Sequence, residues 1–497
     1  MMKLLVANRG EIAVRIFRTC KELGLTSIAV YSTADEEALH TRYADEAVCI
    51  GPAPAADSYL SCSAILEACR RTGAQAVHPG YGFLSENSAF AAAVEEAGML
   101  FIGPRSETIA LTGDKLAARR AARDAGLPVL PGPDTPLSEE IPVEIADQVH
   151  FPVLIKAVAG GGGRGIRLAH NRDELDRMVQ AARHEAQAAF GDNTVYLEPL
   201  VHNARHIEVQ VLGDGEGKIM ALGERECSIQ RRRQKLIEEA PAPGLSSALR
   251  QQVIDHAIRL ATHLGYRSLG TIEFLLDRGG QLFFIEVNPR IQVEHPVTEV
   301  VTGYDLVSEQ IQLALGSGLK NKRDWVEIRG AAIEGRVLAE DPQAGFLPAT
   351  GTVSFLQTPG GPGVRVDSAL YLGMSVLPEY DSLLAKVICW GENRQAAIQR
   401  LRRALHEFQI GGIPTTLEFL SEVVDSQDFI EGRTDTTYLD GFQALPREGE
   451  EAQEQEIALA TALLIHQMRA QDGQIQTNPS GNPWRAAGWR EQMRGNA

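Results

Sequence analysis

The 497-residue chain has no run of about 18 apolar residues, so no transmembrane helix is expected. Its opening, MMKLLVANRGE, lacks the long apolar core and small-residue cleavage site of a secretory signal, and a cytoplasmic protein is expected. Positive charge is scarce. Forty-eight Lys and Arg against 65 Asp and Glu leave a net charge of −17, which excludes a sequence-independent nucleic-acid binder, whose surface must be basic. The local exception, Arg231-Arg232-Arg233-Gln234-Lys235, is either a solvated basic face or a segment that captures an anion. The six cysteines (Cys20, Cys49, Cys62, Cys69, Cys227, Cys389) include no C-x-x-C pair. That argues against zinc ligands or a disulfide frame and for reduced core residues. The first β-α-β unit carries no G-x-G-x-x-G, and no Gly-Lys-Ser/Thr closes a Walker A loop. What remains is ordinary in bulk, with 44% hydrophobic and 23% charged residues, and long enough for two to four domains.

The most informative stretch is Gly270 to Thr298. Two apolar runs, 270–276 and 281–287, flank Asp277-Arg278-Gly279-Gly280 and read as a β-hairpin. Side chains alternate across a strand, so Glu273 takes one face of the first strand, while Glu286 and Asn288 share a face of the second. A two-residue Gly279-Gly280 turn would set Glu273 directly opposite Glu286; a four-residue loop would make them diagonal neighbours. Either way two carboxylates and an amide converge among Ile, Phe and Leu. Such a pair needs a cation, and oxygen-only donors suit a hard ion, Mg²⁺ or Mn²⁺. Two solvent-facing carboxylates on an edge strand are the plainer alternative, disfavoured by the apolar flanks. Arg290, Gln292, Glu294 and His295 follow within one short loop.

Along the chain, residues 3–7 form a strand, Ile12, Ile16, Cys20 and Leu23 recur at helical spacing, and 27–31 form a second strand, which together predict a parallel sheet. A helix over 59–72 leads to strand 76–78 and a tight loop, His78 to Asn87, with Tyr81 at its tip, where ligands bind on such sheets. Helix 115–125 follows, and 128–142 reads as a linker. Strand 153–156 ends in Lys156 and runs into Gly160-Gly161-Gly162-Gly163-Arg164-Gly165, a loop able to wrap phosphate oxygens and to bend as a lid. Strand 206–212 places His206, Glu208 and Gln210 on one face, and a helix over 247–264 precedes the hairpin. Beyond Lys320 the pattern turns antiparallel. Strand 330–339 puts Glu334 and Arg336 on one face, short strands are expected at 351–355, 363–366 and 384–390, and a helix at 394–408. A last helix is expected at about 451–470, with Ile457, Ala460, Leu464 and Met468 in one stripe. The polar end, with Trp484 and Trp489, is either disordered or a docking segment.

The ordered segments ANRGEIAVRI, HPGYGFLSEN, GDK, GGGGRG, ERECSIQRR, EEAPAPG, RIQVEHPVTE, EDP and YDSLLAK resemble the biotin carboxylase family of the ATP-grasp superfamily over residues 2–445. The resemblance implies an α/β ATP-grasp fold. It comprises an N-terminal parallel α/β domain (1–113), an ATP-grasp domain (114–329) with a mobile glycine-rich lid at 130–203, a C-terminal antiparallel-rich α+β domain (330–445), and a helix and polar tail (446–497). It further implies ATP-dependent carboxylation of biotin N1′ with bicarbonate through carboxyphosphate, using Mg²⁺ or Mn²⁺ as two ions. Lys115 and Lys156 match the family's phosphate-binding lysines and glycines 160–165 its lid. Glu198, Pro199, Leu200 and Val201 match its adenine hinge, and His206 and Gln230 its nucleotide pocket, with Arg233 beside them. Glu273, Glu286 and Asn288 match its metal ligands. Lys235, Arg290, Gln292, Val293 and Glu294 match its bicarbonate site, with Glu294 as base, and Tyr81, Arg290 and Arg336 its biotin contacts.

Three positions depart from the pattern: Arg233 for a histidine near the ribose, Pro289 for a threonine, and Gly335 for a cysteine. No Ala/Val-Met-Lys-Met segment is present, so biotin is expected on a separate carrier protein. Carboxyltransferase subunits and a homodimer partner are also expected, with no nucleic acid and no membrane. The alternatives are another ATP-grasp ligase or a non-catalytic nucleotide-binding scaffold.

Overall fold

A computed structural model describes residues 1–133, 135–137, 151–159, 165–319, 326–442 and 463. The chain divides into the units Met1–Phe442 and Gln443–Ala497. The helix expected at 451–470 and the tail lie outside the described residues, Leu463 apart, as do Gly160 to Arg164.

The N-terminal sheet is parallel, in the order β3 (Glu46–Gly51), β2 (Thr26–Ser32), β1 (Lys3–Val6), β4 (Ala76–His78), β5 (Leu100–Phe101). Leu4, Leu5 and Val6 are all buried, as a central parallel strand covered on both faces requires. Helix Gly10–Glu22 lays Ile12, Ile16 and Cys20 on one side of it. The helix expected from residue 59 starts later, at Cys62, because Ser61 caps it by accepting from the Ala64 N–H at 3.3 Å. Tyr59 is a core residue instead, donating its hydroxyl to Asp35 at 2.6 Å. All six cysteines are free, and Cys20, Cys69, Cys227 and Cys389 are buried as expected. Cys49 is exposed and Cys62 only half-buried, contrary to expectation. β3 is an edge strand whose alternation turns Val48 and Ile50 inward and Cys49 out, and Cys62 sits in the first turn of its helix.

A three-stranded antiparallel sheet sets the wholly buried β6 (Val153–Ala157) between β7 (Ile166–Ala169) and β8 (Val195–Pro199), with helix Arg172–Phe190 packed on it. The largest sheet has eight antiparallel strands. They are β13 (Leu282–Asn288), β12 (Arg267–Leu276), β9 (Arg205–Asp214), β10 (Ile219–Arg231), β11 (Gln234–Ala240), β14 (Ala331–Leu338), β21 (Leu383–Gly391) and β19 (Val364–Ser368), in that order. Because β14 pairs with β11, hydrogen bonding runs unbroken from the hairpin strands into those beyond residue 330. Three short pairs flank it: β15 (Glu340–Asp341) with β16 (Leu347–Pro348), β17 (Gly351–Thr352) with β20 (Ser375–Val376), and β18 (Phe355–Gln357) with β22 (Gln409–Gly411). The single strand expected at 351–355 is thus two strands with different partners.

The sheet's alternation decides the site. Ile207, Val209 and Val211 of β9 pack with Ile272, Phe274 and Leu276 of β12 against Val253, Ala257 and Leu260 of helix Ser247–His263. That leaves His206, Glu208 and Gln210 on the opposite face. The hairpin loop matches neither of the lengths expected. Leu276 pairs with Leu282, so residues 277–281 form the loop, and the register slips between Glu273 and Phe274. The slip leaves Ile285 unpaired as a bulge, and it restores the direct opposition of Glu273 and Glu286. Among the described residues no helix is long and apolar enough to cross a membrane.

Candidate functional site

Three carboxylates lie abreast on one face of the large sheet, since Glu273 pairs directly with Glu208 on one side and Glu286 on the other. Such a row is costly without cations between its members. Lys235 reaches in from β11, its Nζ 2.7 Å from Glu208 Oε2, 3.0 Å from Glu273 Oε1 and 2.7 Å from Glu294 Oε1. Arg225 of β10 is fully buried beneath them, its Nε 2.5 Å from Glu208 Oε1, and it also donates to Gln210, Thr298 and Thr271. His206 Nε2 lies 2.9 Å from Glu273 Oε2, and its Nδ1 is 2.8 Å from Gln230 Nε2. Lys115 Nζ approaches Glu286 Oε2 at 3.5 Å.

Burial works against every one of these charges, and the partners decide the outcome. Burial pushes Glu208 up, but Arg225 and Lys235 hold it down at about 2. Burial likewise opposes ionised Glu273, which Lys235 and His206 hold below the ordinary carboxylate range. The Lys235 ammonium is disfavoured by burial and more than restored by the carboxylates around it, ending well above its usual value. For Glu294, burial and Glu208 push upward, and Lys235, Arg336 and Arg225 outweigh them. The Glu294 carboxylate is therefore ionised at neutral pH.

Glu294 is wholly buried just before helix His295–Thr302 and is gripped from two sides. Opposite Lys235, Arg336 Nη2 donates to Glu294 Oε2 at 2.8 Å, and Arg336 Nε donates to Glu238 Oε1 at 2.6 Å. Arg290 is held by Glu86 at 2.6 Å, Gln292 Oε1 at 2.6 Å and Asn288 Oδ1 at 3.0 Å. Asn288 and Gln292 in turn donate to Glu273 Oε1, at 2.9 and 3.2 Å. The Val293 carbonyl faces Lys386 Nζ at 2.8 Å. Tyr81 donates its hydroxyl to Glu11.

The remaining expected residues divide. On the three-stranded sheet Lys156 is ion-paired with Glu198, and Pro199, Leu200 and Val201 continue half-buried from β8. Gly165 is left-handed at φ +68°, and Gly160 to Gly163 lie outside the described residues. Arg233 is exposed in the turn between β10 and β11, with φ +67°, in the field of Arg167, Asp440 and Glu198.

Sequence reasoning did not single out Arg225, Glu238, Glu86 or Lys386. Their partners lie on other strands or loops. A usable signal existed for Lys386, a lone charge inside the apolar strand run Leu384 to Ile388.

Two further groups bring possible metal donors together, His206 with Glu208 and Glu273, and Glu208 with Cys227 and Glu294. Lys235 already supplies positive charge to both. Glu273, Glu286 and Asn288 are different, an all-oxygen set with two opposed carboxylates, and that set fits a hard divalent cation.

Family models match in series. The N-terminal domain of biotin carboxylase matches residues 1–109, the ATP-binding domain of the carbamoyl-phosphate synthase L chain 114–322, and the biotin carboxylase C-terminal domain 334–441. A biotin carboxylase of Pseudomonas aeruginosa is 51% identical over 440 residues, 88% of this chain and 98% of that one. The chain belongs to the biotin carboxylase family. A Campylobacter jejuni biotin carboxylase solved as a β,γ-ATP complex superposes with a TM-score of 0.86 at 44% identity, over 88% of this chain and 98% of that one. The biotin carboxylase domain dimer of Hydrogenobacter thermophilus 2-oxoglutarate carboxylase, solved with MgADP, ADP and bicarbonate, gives 0.85 at 46% identity, over 88% and 97%. The ATP-grasp fold expected from the sequence is therefore the fold of this chain.

One pH effect follows from the electrostatics beside Arg336. Burial pushes Glu238 up to about 7, Arg336 opposing and Glu294 reinforcing. A carboxyl whose folded pKa exceeds its unfolded value stabilises the fold fully below the unfolded value, and the contribution is lost as pH rises through the folded one. The thermal midpoint should fall between about pH 4.5 and 7, and Glu238→Gln should flatten that fall. An equally steep fall in the variant would remove Glu238 as its source.

Proposed function

We propose that the protein transfers bicarbonate carbon to N1′ of biotin held on a separate carrier protein, at the expense of ATP, as the first half-reaction of an acyl-CoA or related carboxylase. The observation that carries this reading is the chain Lys235–Glu294–Arg336, an ionised buried carboxylate between two cations, lying beside the opposed Glu273 and Glu286.

Bicarbonate is a poor nucleophile and must be activated. Glu294 accepts the bicarbonate proton while a bicarbonate oxygen attacks the γ-phosphorus, forming carboxyphosphate and releasing ADP. Lys235 and Arg290 balance the negative charge that gathers there, with Gln292 and the Val293 backbone orienting bicarbonate. Carboxyphosphate breaks to CO₂ and phosphate, and phosphate takes the N1′ proton. Arg336 holds the ureido oxygen as it becomes enolate-like, with Tyr81 and Arg290 at the biotin side, and N1′ then bonds to CO₂. Glu273, Glu286 and Asn288 would hold Mg²⁺, or Mn²⁺, as two ions, which when bound neutralise charge on the ATP phosphates.

Lys115, Lys156, His206, Gln230 and Arg233, with the segment Glu198 to Val201, form the nucleotide side. A biotin carboxyl carrier protein, carboxyltransferase subunits and a second copy of the chain complete the assembly, in the cytoplasm.

The test is ATP hydrolysis by the purified chain with bicarbonate and Mg²⁺, with and without free biotin. Biotin should stimulate turnover, and chelation of the divalent ion should abolish it. ATP binding without turnover, even with biotinylated carrier present, would favour the scaffold reading.

A further inference from the structure

A lysine with no exposed surface needs a reason, because burying its charge is costly unless partners hold it. Lys386 lies in β21 directly opposite Arg336 of β14, so the two project on the same face of the sheet. Its Nζ donates to the Val293 carbonyl at 2.8 Å and lies 3.1 Å from Glu11 Oε1. Tyr81 donates its hydroxyl to that same Glu11 oxygen. Asn8, three residues before Glu11, fixes the loop bearing Tyr81 from below, its Nδ2 donating to the Pro79 carbonyl at 2.8 Å and the Tyr81 carbonyl at 2.7 Å. Two stretches of chain, the first turn of helix Gly10–Glu22 and the loop Arg290 to Glu294, thus meet on one ammonium, and the loop after β4 is tied to it through Glu11.

The surroundings keep that ammonium charged. Burial opposes the charge, and Glu11, Glu334 and Asp367 outweigh it, with Arg365 acting against them. Burial in turn pushes the Glu11 and Glu334 carboxyls up, Glu334 well above its usual range, with Lys386 opposing the rise in both.

We propose that Lys386 is a positioning residue that locks the Tyr81 loop to the Arg290–Glu294 loop, so that biotin and bicarbonate meet in one fixed geometry. The inference rests on the roles proposed above for those loops. Lys386 touches neither substrate; it acts through Val293 and through Glu11.

The experiment compares wild type with Lys386→Met, Glu11→Gln, and the double variant. Lys386→Met alone leaves the Glu11 carboxyl, already pushed up by burial, without its cation, and is expected to fold poorly. The double variant removes both titratable partners and keeps an acceptor for the Tyr81 hydroxyl. Thermal midpoint, KM for ATP and for bicarbonate, and the factor by which biotin stimulates ATP hydrolysis are measured in each. In the folded double variant, biotin-stimulated turnover should fall by about 100-fold, the cost of a displacement of order 1 Å in a reacting pair. KM for bicarbonate should rise, KM for ATP should hold, and the biotin stimulation factor should drop toward one. Glu11→Gln, which keeps side-chain shape, should lower the same factor by itself. Wild-type bicarbonate KM and biotin stimulation in either folded variant would overturn the inference. A wild-type protein that biotin does not stimulate would instead overturn the proposed activity on which it rests.

Discussion

Glu294→Gln should lower bicarbonate-dependent ATP cleavage by about 10²- to 10⁴-fold, the range for loss of a general base. Nucleotide binding should change little. The carboxylate is wholly buried, accepts from Lys235 at 2.7 Å and from Arg336 at 2.8 Å, and is held ionised by those two cations and Arg225 against burial and Glu208. Glutamine keeps the shape but cannot take a proton from bicarbonate. The fold has a reserve of charge to absorb the change, since Lys235 retains Glu208 and Glu273, and Arg336 retains Glu238. Steady-state hydrolysis with bicarbonate varied, alongside a thermal melt, separates the two effects. A folded variant that keeps wild-type bicarbonate-dependent turnover would assign the proton to another group.

Arg225→Met should destabilise the protein by about 3–5 kcal/mol, the range for stripping one partner from a buried ion pair. Arg225 has no exposed surface and gathers Glu208, Gln210, Thr271 and Thr298, so it ties β9, β10 and β12 to the helix that begins at His295. Its loss leaves Lys235 as the ion-pair partner of buried Glu208. The Arg225→Met/Glu208→Leu pair should recover much of the lost stability while remaining inactive, because a hydrophobic pair of similar volume removes the uncompensated charge. Denaturant unfolding of the two variants measures this. A single variant as stable as wild type would show that Arg225 does not carry that part of the sheet.

These two residues mark where sequence reasoning reached and where it stopped. Glu273 and Glu286 were legible because strand alternation is local, and their opposition holds. The five-residue loop and the bulge at Ile285 were not, because the slip that corrects the register has no signature in residues 277–281 themselves. The parallel N-terminal sheet was readable from β1, the helix after it and β2, each carrying its own period. The unbroken eight-stranded sheet was not, since β11 and β14 are joined by hydrogen bonds between segments about a hundred residues apart in sequence. The same limit hid Arg225 and the partners of Lys386, whose lone charge in an apolar strand was itself legible. Each is a buried cation whose meaning lies in partners far along the chain, Thr298 for one and Glu11 for the other.

The most direct test of the central claim follows the carbon. Isotopically labelled bicarbonate is incubated with the full chain, MgATP and a biotinylated carrier protein, and the carrier is examined for label. ATP-dependent label is expected on the carrier's biotin, in step with ADP released and lost in Glu294→Gln. ADP release with no label on biotin, or labelling that does not require ATP, would contradict it.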